Sequence, residues 1–167
     1  MAPNSNTASQ TSTLQRERAK QAVGMDRSGL EILDREECLR LLATATLGRV
    51  GITIGALPVV VPMDFRLVGD QVVVRVGVGT KVDSALHDAV VAFEADQVEP
   101  LGGGGWSVSL TGLAREVTDP AEVGRLRRAG IARWVEWGPD RYVALSTDLI
   151  TGRRIPTASG TSTTSGT

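Results

Sequence analysis

The sequence holds one cysteine and one histidine. A single thiol excludes an intrachain disulfide and any multi-cysteine zinc site. A lone His87 argues against a histidine metal centre or a Ser–His relay. Aromatic residues make up only 4% of the chain, and half of the six are Trp106, Trp134 and Trp137. An excess of charge of one sign is also missing. A formal net charge of -1 gives no basic field to recruit nucleic acid or anionic lipid. The most apolar uncharged run, "VGITIGALPVVVPM" at 50–63, has 14 residues and is broken by two Pro and two Gly. That is too short to span a bilayer. The polar N-terminus carries no apolar signal-peptide core. These absences point to a soluble cytoplasmic protein with no nucleic-acid or membrane partner.

What is present is one domain between two polar ends. Residues 1–28 and 157–167 are poor in apolar side chains and read as disordered tails, because they cannot offset the entropy of ordering them. Residues 29–156 are long enough for one domain with its own core. Asp34 reads as the N-cap of a short helix, with Glu37 completing a capping box and Leu33 and Cys38 stapling it. Six strands follow: 47–54, 57–67, 71–76, 89–98, 106–117 and 141–150. One short helix begins at Lys81, and another at Pro120 behind the N-cap Asp119. Many short strands with two or three helical insertions predict a small, mainly β, antiparallel barrel. Pro58 and Pro62 place the second strand at an edge, or at a bend where the barrel opens.

The stretch "VVVRVGVGTKVDSAL" at 72–86 carries the chemistry. Thr80 is a good N-cap for the helix beginning at Lys81, with Asp83 at N3. Gly77 and Gly79 allow close approach of the backbone. Unpaired helix N–H groups, Lys81 and Arg75 together suit a phosphate. A plainer reading of the same residues has Thr80 only capping, Lys81 solvated and Arg75 paired with a carboxylate. Lys81 is the single lysine of the predicted domain in an arginine-biased sequence, which favours a compact point charge at that place. His87 reads as a helix-end residue, and "RLRR" at 125–128 as a solvated face. No Ser–His–Asp set or carboxylate pair stands out, so no residue is assigned a catalytic role. That absence fits chemistry residing in a cofactor.

The order of strand, Arg75, Gly-containing loop, Thr80-Lys81, short helix, "AVVAFEAD" and "WSVSLTGLAREVTDPAE" resembles the pyridoxamine 5'-phosphate oxidase-like superfamily of FMN-binding split barrels. The resemblance spans about residues 30–155. It implies a six-stranded antiparallel split barrel, with Arg75, Val76, Thr80 and Lys81 at the cofactor phosphate and ribityl chain. It implies Pro62, Met63 and Asp64 under the isoalloxazine ring, and Trp106 and Ser107 approaching it. A homodimer with two sites at its interface is implied as well, with Trp137 and Arg141 as contributions across it. The implied activity is that of an FMN-dependent oxidoreductase on a small-molecule substrate. The alternatives are a reductase using a deazaflavin coenzyme, and a flavin- or haem-binding carrier or sensor without turnover. The vitamin-forming oxidases carry a C-terminal substrate-gripping signature of which "VEWGPDRYVAL" is only an echo, and their paired Arg-Lys is Thr80-Lys81 here.

Overall fold

The computed structural model of the chain describes residues 24–99, 104–132 and 138–155. Its elements run β1 (Glu31–Leu33), α1 (Arg35–Leu42), β2 (Leu47–Ile54), β3 (Leu57–Val68), β4 (Gln71–Gly77), α2 (Lys81–Leu86), β5 (Val90–Val98), β6 (Gly105–Glu116), α3 (Pro120–Ala129), β7 (Asp140–Leu145) and β8 (Leu149–Ile155). The strands lie in the order β6-β5-β2-β3-β4-β7, and β7 pairs back onto β6. This closes a six-stranded antiparallel barrel, as the patterning predicts. Closure requires β6 to serve two partners on one edge. Its Gly105–Thr111 half pairs β8, and Ala114–Glu116 pair β7. Gly112 sits at the changeover, where a Cβ would stand 2.0 Å from the Ser146 carbonyl oxygen. The expected sixth strand, 141–150, is therefore two strands separated by Ser146–Asp148. β8 carries the additional short β1 on its outer edge.

The core follows strand alternation. Phe65 and Phe93 meet edge to face at its centre, with ring centroids 4.9 Å apart. Leu41, Leu42 and Cys38 of α1 close one end, and Leu86 of α2 also joins this core. The N-cap Asp34 accepts the Glu37 amide as expected. The Glu37 carboxylate turns away to Arg40 and Arg154 instead of reaching back to the cap. A second core, with Val73, Tyr142 and Ala144 against Leu126 and Ile131, lies under α3. Residues 24–28, which the composition assigns to the N-terminal tail, contact the β1–β8 edge of the sheet. Met25 bridges Glu31, and Asp26 accepts the Ser28 and Leu30 amides and the Arg153 guanidinium.

Candidate functional site

The barrel splits between β3 and β4. These strands pair only from Phe65 with Val74 to Val68 with Gln71. Before Phe65, β3 pairs β2 alone and its other edge is open. The Phe65 amide donates to Thr46 on the β2 side. Backbone groups alternate sides along a strand, so the even-numbered positions of β3 face the gap. Pro58 and Pro62 occupy two of them. Their missing N–H groups cost no ladder bond there, and they blunt the open edge against strand addition.

A cavity of about 490 Å³ fills the gap. Val61, Pro62, Met63 and Asp64 of β3 form one wall, and Arg75, Val76 and Gly77 of β4 form the other. Val78, Gly79, Thr80 and Val82 close one end, and Ala132, Gly138 and Pro139 complete the lining. The walls are mainly aliphatic, with Asp64 on the β3 side, Arg75 on the β4 side and Thr80 at the loop.

Alternation also explains the arginine within the valines of β4. Val72, Val74 and Val76 face the barrel interior, whereas Val73 faces the core under α3. Arg75 follows Val73 onto that outer face. Its Nε donates to Asp140 Oδ2 at 2.8 Å, a second guanidinium nitrogen pairs with the same carboxylate, and Nη1 donates to the Ile131 carbonyl. Its guanidinium carbon stands 5.9 Å from the Tyr142 ring centroid. The carboxylate partner of the plainer sequence reading thus exists, and Arg75 still belongs to the cavity lining.

The 77–80 loop is held by its own side chains. Thr80 caps α2 by accepting the Asp83 amide at 3.0 Å, and its hydroxyl donates to the Gly77 carbonyl. The Asp83 carboxylate reaches back one residue further than a capping box requires, to the Gly79 amide at 2.8 Å. Gly79 lies at φ +80°, where a side chain is strained. Asp83 is buried and paired with Arg141, which also donates to Glu116. Burial opposes the Arg141 charge, but the Asp83 and Glu116 carboxylates outweigh it and raise the pKa above its ordinary value.

The cavity thus brings together Pro62, Met63, Asp64, Arg75, Val76 and Thr80. Lys81 stands exposed on the rim between the lining residues Thr80 and Val82, with no ion pair among the described residues. Trp106 and Ser107 lie on β6, three strands from β3 around the barrel, and pair Gln97 and Asp96 of β5. Arg141 turns to Asp83 and Glu116, away from the cavity lining. Trp137 falls outside the described residues. Sequence reasoning passed over Val61, Val78, Val82 and the 138–139 wall. Only the Gly-Pro pair at 138–139 carried a local signal, as a turn.

A barrel split on one side, with a cavity in the split and a Gly-containing loop at its end, defines the class of protein. The family model described as pyridoxamine 5'-phosphate oxidase matches residues 34–154. The chain is 41% identical over 128 residues to the Mycobacterium tuberculosis protein named "Uncharacterized protein Rv0080", covering 74% of this chain and 84% of that one. It is 34% identical to the FAD binding protein from Mycobacterium smegmatis, whose structure matches with a TM-score of 0.64 over 74% of this chain and 96% of that one. The FAD and heme binding protein from the same organism shares the fold at a TM-score of 0.59 and 22% identity, over 73% of this chain and 71% of that one. The chain belongs to the pyridoxamine 5'-phosphate oxidase family.

Proposed function

We propose that the cavity in the β3–β4 split binds a flavin, and that the protein is a flavin-dependent oxidoreductase acting on a small molecule. The carrying observation is the cavity itself: a slot between two strands, mainly aliphatic along its walls, with Arg75 and Thr80 among its few polar lining residues. Val61, Met63 and Val76 suit the faces of a planar ring system and keep water from it. The 77–80 loop suits the polar chain of the ligand. The amides of Lys81 and Val82 open the helix, where no intrahelical partner exists, and Lys81 adds a full positive charge beside them. A phosphate is the group that matches this end. A bound flavin supplies hydride and electron transfer; the chain supplies position, desolvation and charge. The FAD binding protein of 34% identity supports the flavin reading.

FMN is the first form of the reading, because its phosphate monoester ends at the Lys81 rim. FAD is the second form. The similar M. smegmatis protein is named for it. Chromatography of the chromophore released from denatured, natively loaded protein tests both forms. FMN or FAD is the expected species. A deazaflavin or haem would overturn the flavin assignment. Oxidation of a reduced nicotinamide by the loaded protein would support the enzyme over a carrier, and its failure with every common donor would favour the carrier.

The reading includes a homodimer. Its support is a line across the outer sheet face, where the register sets Val60, Gly51, Ala92, Thr111 and Leu149 side by side on five strands. Val60 is 66% exposed and Leu149 68%. A row of small and apolar groups with exposed ends suits a second sheet face.

A further inference from the structure

The buried charges behind the cavity wall are not explained by the ligand reading. Gly77, Val78, Gly79 and Thr80 line the cavity, but Asp83 and Arg141 do not. Asp83 stands behind the loop with only 5% of its surface exposed, and one carboxylate oxygen accepts the Gly79 amide at 2.8 Å. Its other oxygen accepts the Arg141 Nε at 2.5 Å. Arg141 is fixed in turn by Glu116 of β6 at 2.8 Å and by the pairing of β7 with β4, where it stands opposite Val76. A continuous chain of charge-assisted contacts therefore runs from the barrel wall to a glycine in the cavity wall.

We propose that Arg141 is a positioning residue that sets the 77–80 wall of the cavity through Asp83, without touching the ligand. The chemistry requires a partner for Asp83. A carboxylate this buried needs a counter-charge to keep its present geometry. A reoriented Asp83 holds the Gly79 amide less well. Gly79 lies at a positive φ; Val78 is tied to Pro139 and Thr80 to the Gly77 carbonyl, and the Gly79 amide between them is held by Asp83. Arg141 also cancels a negative charge that would otherwise face an anionic ligand from behind the wall. The resemblance offers Arg141 as a contribution across a dimer interface; within one chain its contacts are to Asp83 and Glu116.

This inference rests on the cavity being the flavin site, and the test separates the two. FMN is titrated into full-length wild type, Arg141→Ala, Arg141→Lys, Asp83→Ala and the Arg141→Ala/Asp83→Ala double variant, followed by flavin fluorescence. Arg154→Ala is the matched control, because Arg154 bridges the two carboxylates Glu31 and Glu37 on another part of the molecule. Loss of a support that shifts a binding wall by a fraction of an ångström to an ångström is expected to weaken FMN about tenfold or more. Arg141→Ala should show that loss, Arg141→Lys should recover part of it, and Arg154→Ala should bind as wild type. In the Asp83→Ala background, Arg141→Ala should add little. The Gly79 amide, followed by hydrogen exchange, should lose protection in Arg141→Ala while the β5 and β6 amides keep theirs. If Arg141→Ala unfolds, Arg141→Lys and the Gly79 exchange carry the test. Wild type that does not bind FMN or FAD overturns the flavin reading. Wild type that binds, with Arg141 variants binding equally or with Gly79 protection unchanged, overturns the positioning role alone.

Discussion

Arg75 and Arg141 are neighbours across β4 and β7, yet they serve opposite faces. Arg75 ties β4 to Asp140 on the α3 side, and Arg141 ties β7 to Asp83 on the α2 side. Lys81, by contrast, is left exposed at the start of α2. If a phosphate sits there, Lys81→Ala removes one charge-assisted contact, worth on the order of 1.5–3 kcal/mol. FMN affinity is then expected to fall about tenfold or more, by the same energy scale. Riboflavin, which lacks the phosphate, should bind almost as before. Equal losses for the two would place the phosphate elsewhere. Cys38 presents the opposite case, a reactive group made inert. Burial raises its thiol pKa to about 11, with Asp34 and Glu37 adding to the effect. Native protein at pH 8 is expected to resist a thiol reagent such as DTNB until it unfolds. Rapid stoichiometric labelling would contradict that burial.

At the scale of elements, β6 decides the architecture by serving β8 and β7 in turn. A methyl group at Gly112 would collide with the Ser146 backbone, which cannot yield as a flexible side chain can. Gly112→Ala is expected to cost about 1–3 kcal/mol or more by overpacking, read as a lowered denaturation midpoint. An unchanged midpoint would mean that the changeover is looser than drawn. Helix α1 carries a pH signature. Arg40, then Arg154, hold the Glu37 carboxyl at about 2 despite the opposing effect of burial, below its ordinary 4.5. A depressed carboxyl pKa stabilises the fold above the ordinary value, and the gain is lost as pH falls from about 4.5 to about 2. The Tm difference between wild type and Glu37→Gln should therefore shrink across that window. A constant difference would detach Glu37 from these pairs. Most elements were legible because caps and alternation are local: Asp34, Thr80 and Asp119 cap as their sequence positions suggest. The break at Ser146–Asp148 was not legible, because "YVALSTDLI" alternates well enough for one strand. Only the competition of two strands for β6 divides it. The partners of Arg75 and Arg141 were hidden for the same reason, since Asp140 and Asp83 become neighbours through the β4–β7 register and the docking of α2.

For the whole molecule, the split barrel leaves an aliphatic slot at its opening and a broad exposed sheet face. The dimer reading is checked by light scattering at micromolar concentration, where twice the chain mass is expected. Val60→Glu, placing charges in the shared row, should shift the molecule toward the single-chain mass with its barrel intact. A monomeric, flavin-loaded wild type would overturn that reading. The same slot contains the central claim, that a flavin sits between β3 and β4. Its most direct measurement is a flavin titration of wild type beside Val61→Trp, a variant that fills the slot from β3 with a bulky side chain. Saturable binding of FMN or FAD by wild type, and its loss in Val61→Trp with the thermal midpoint nearly kept, is the expected result. Equal flavin binding by both proteins, or binding by neither, would contradict the assignment of this cavity to a flavin.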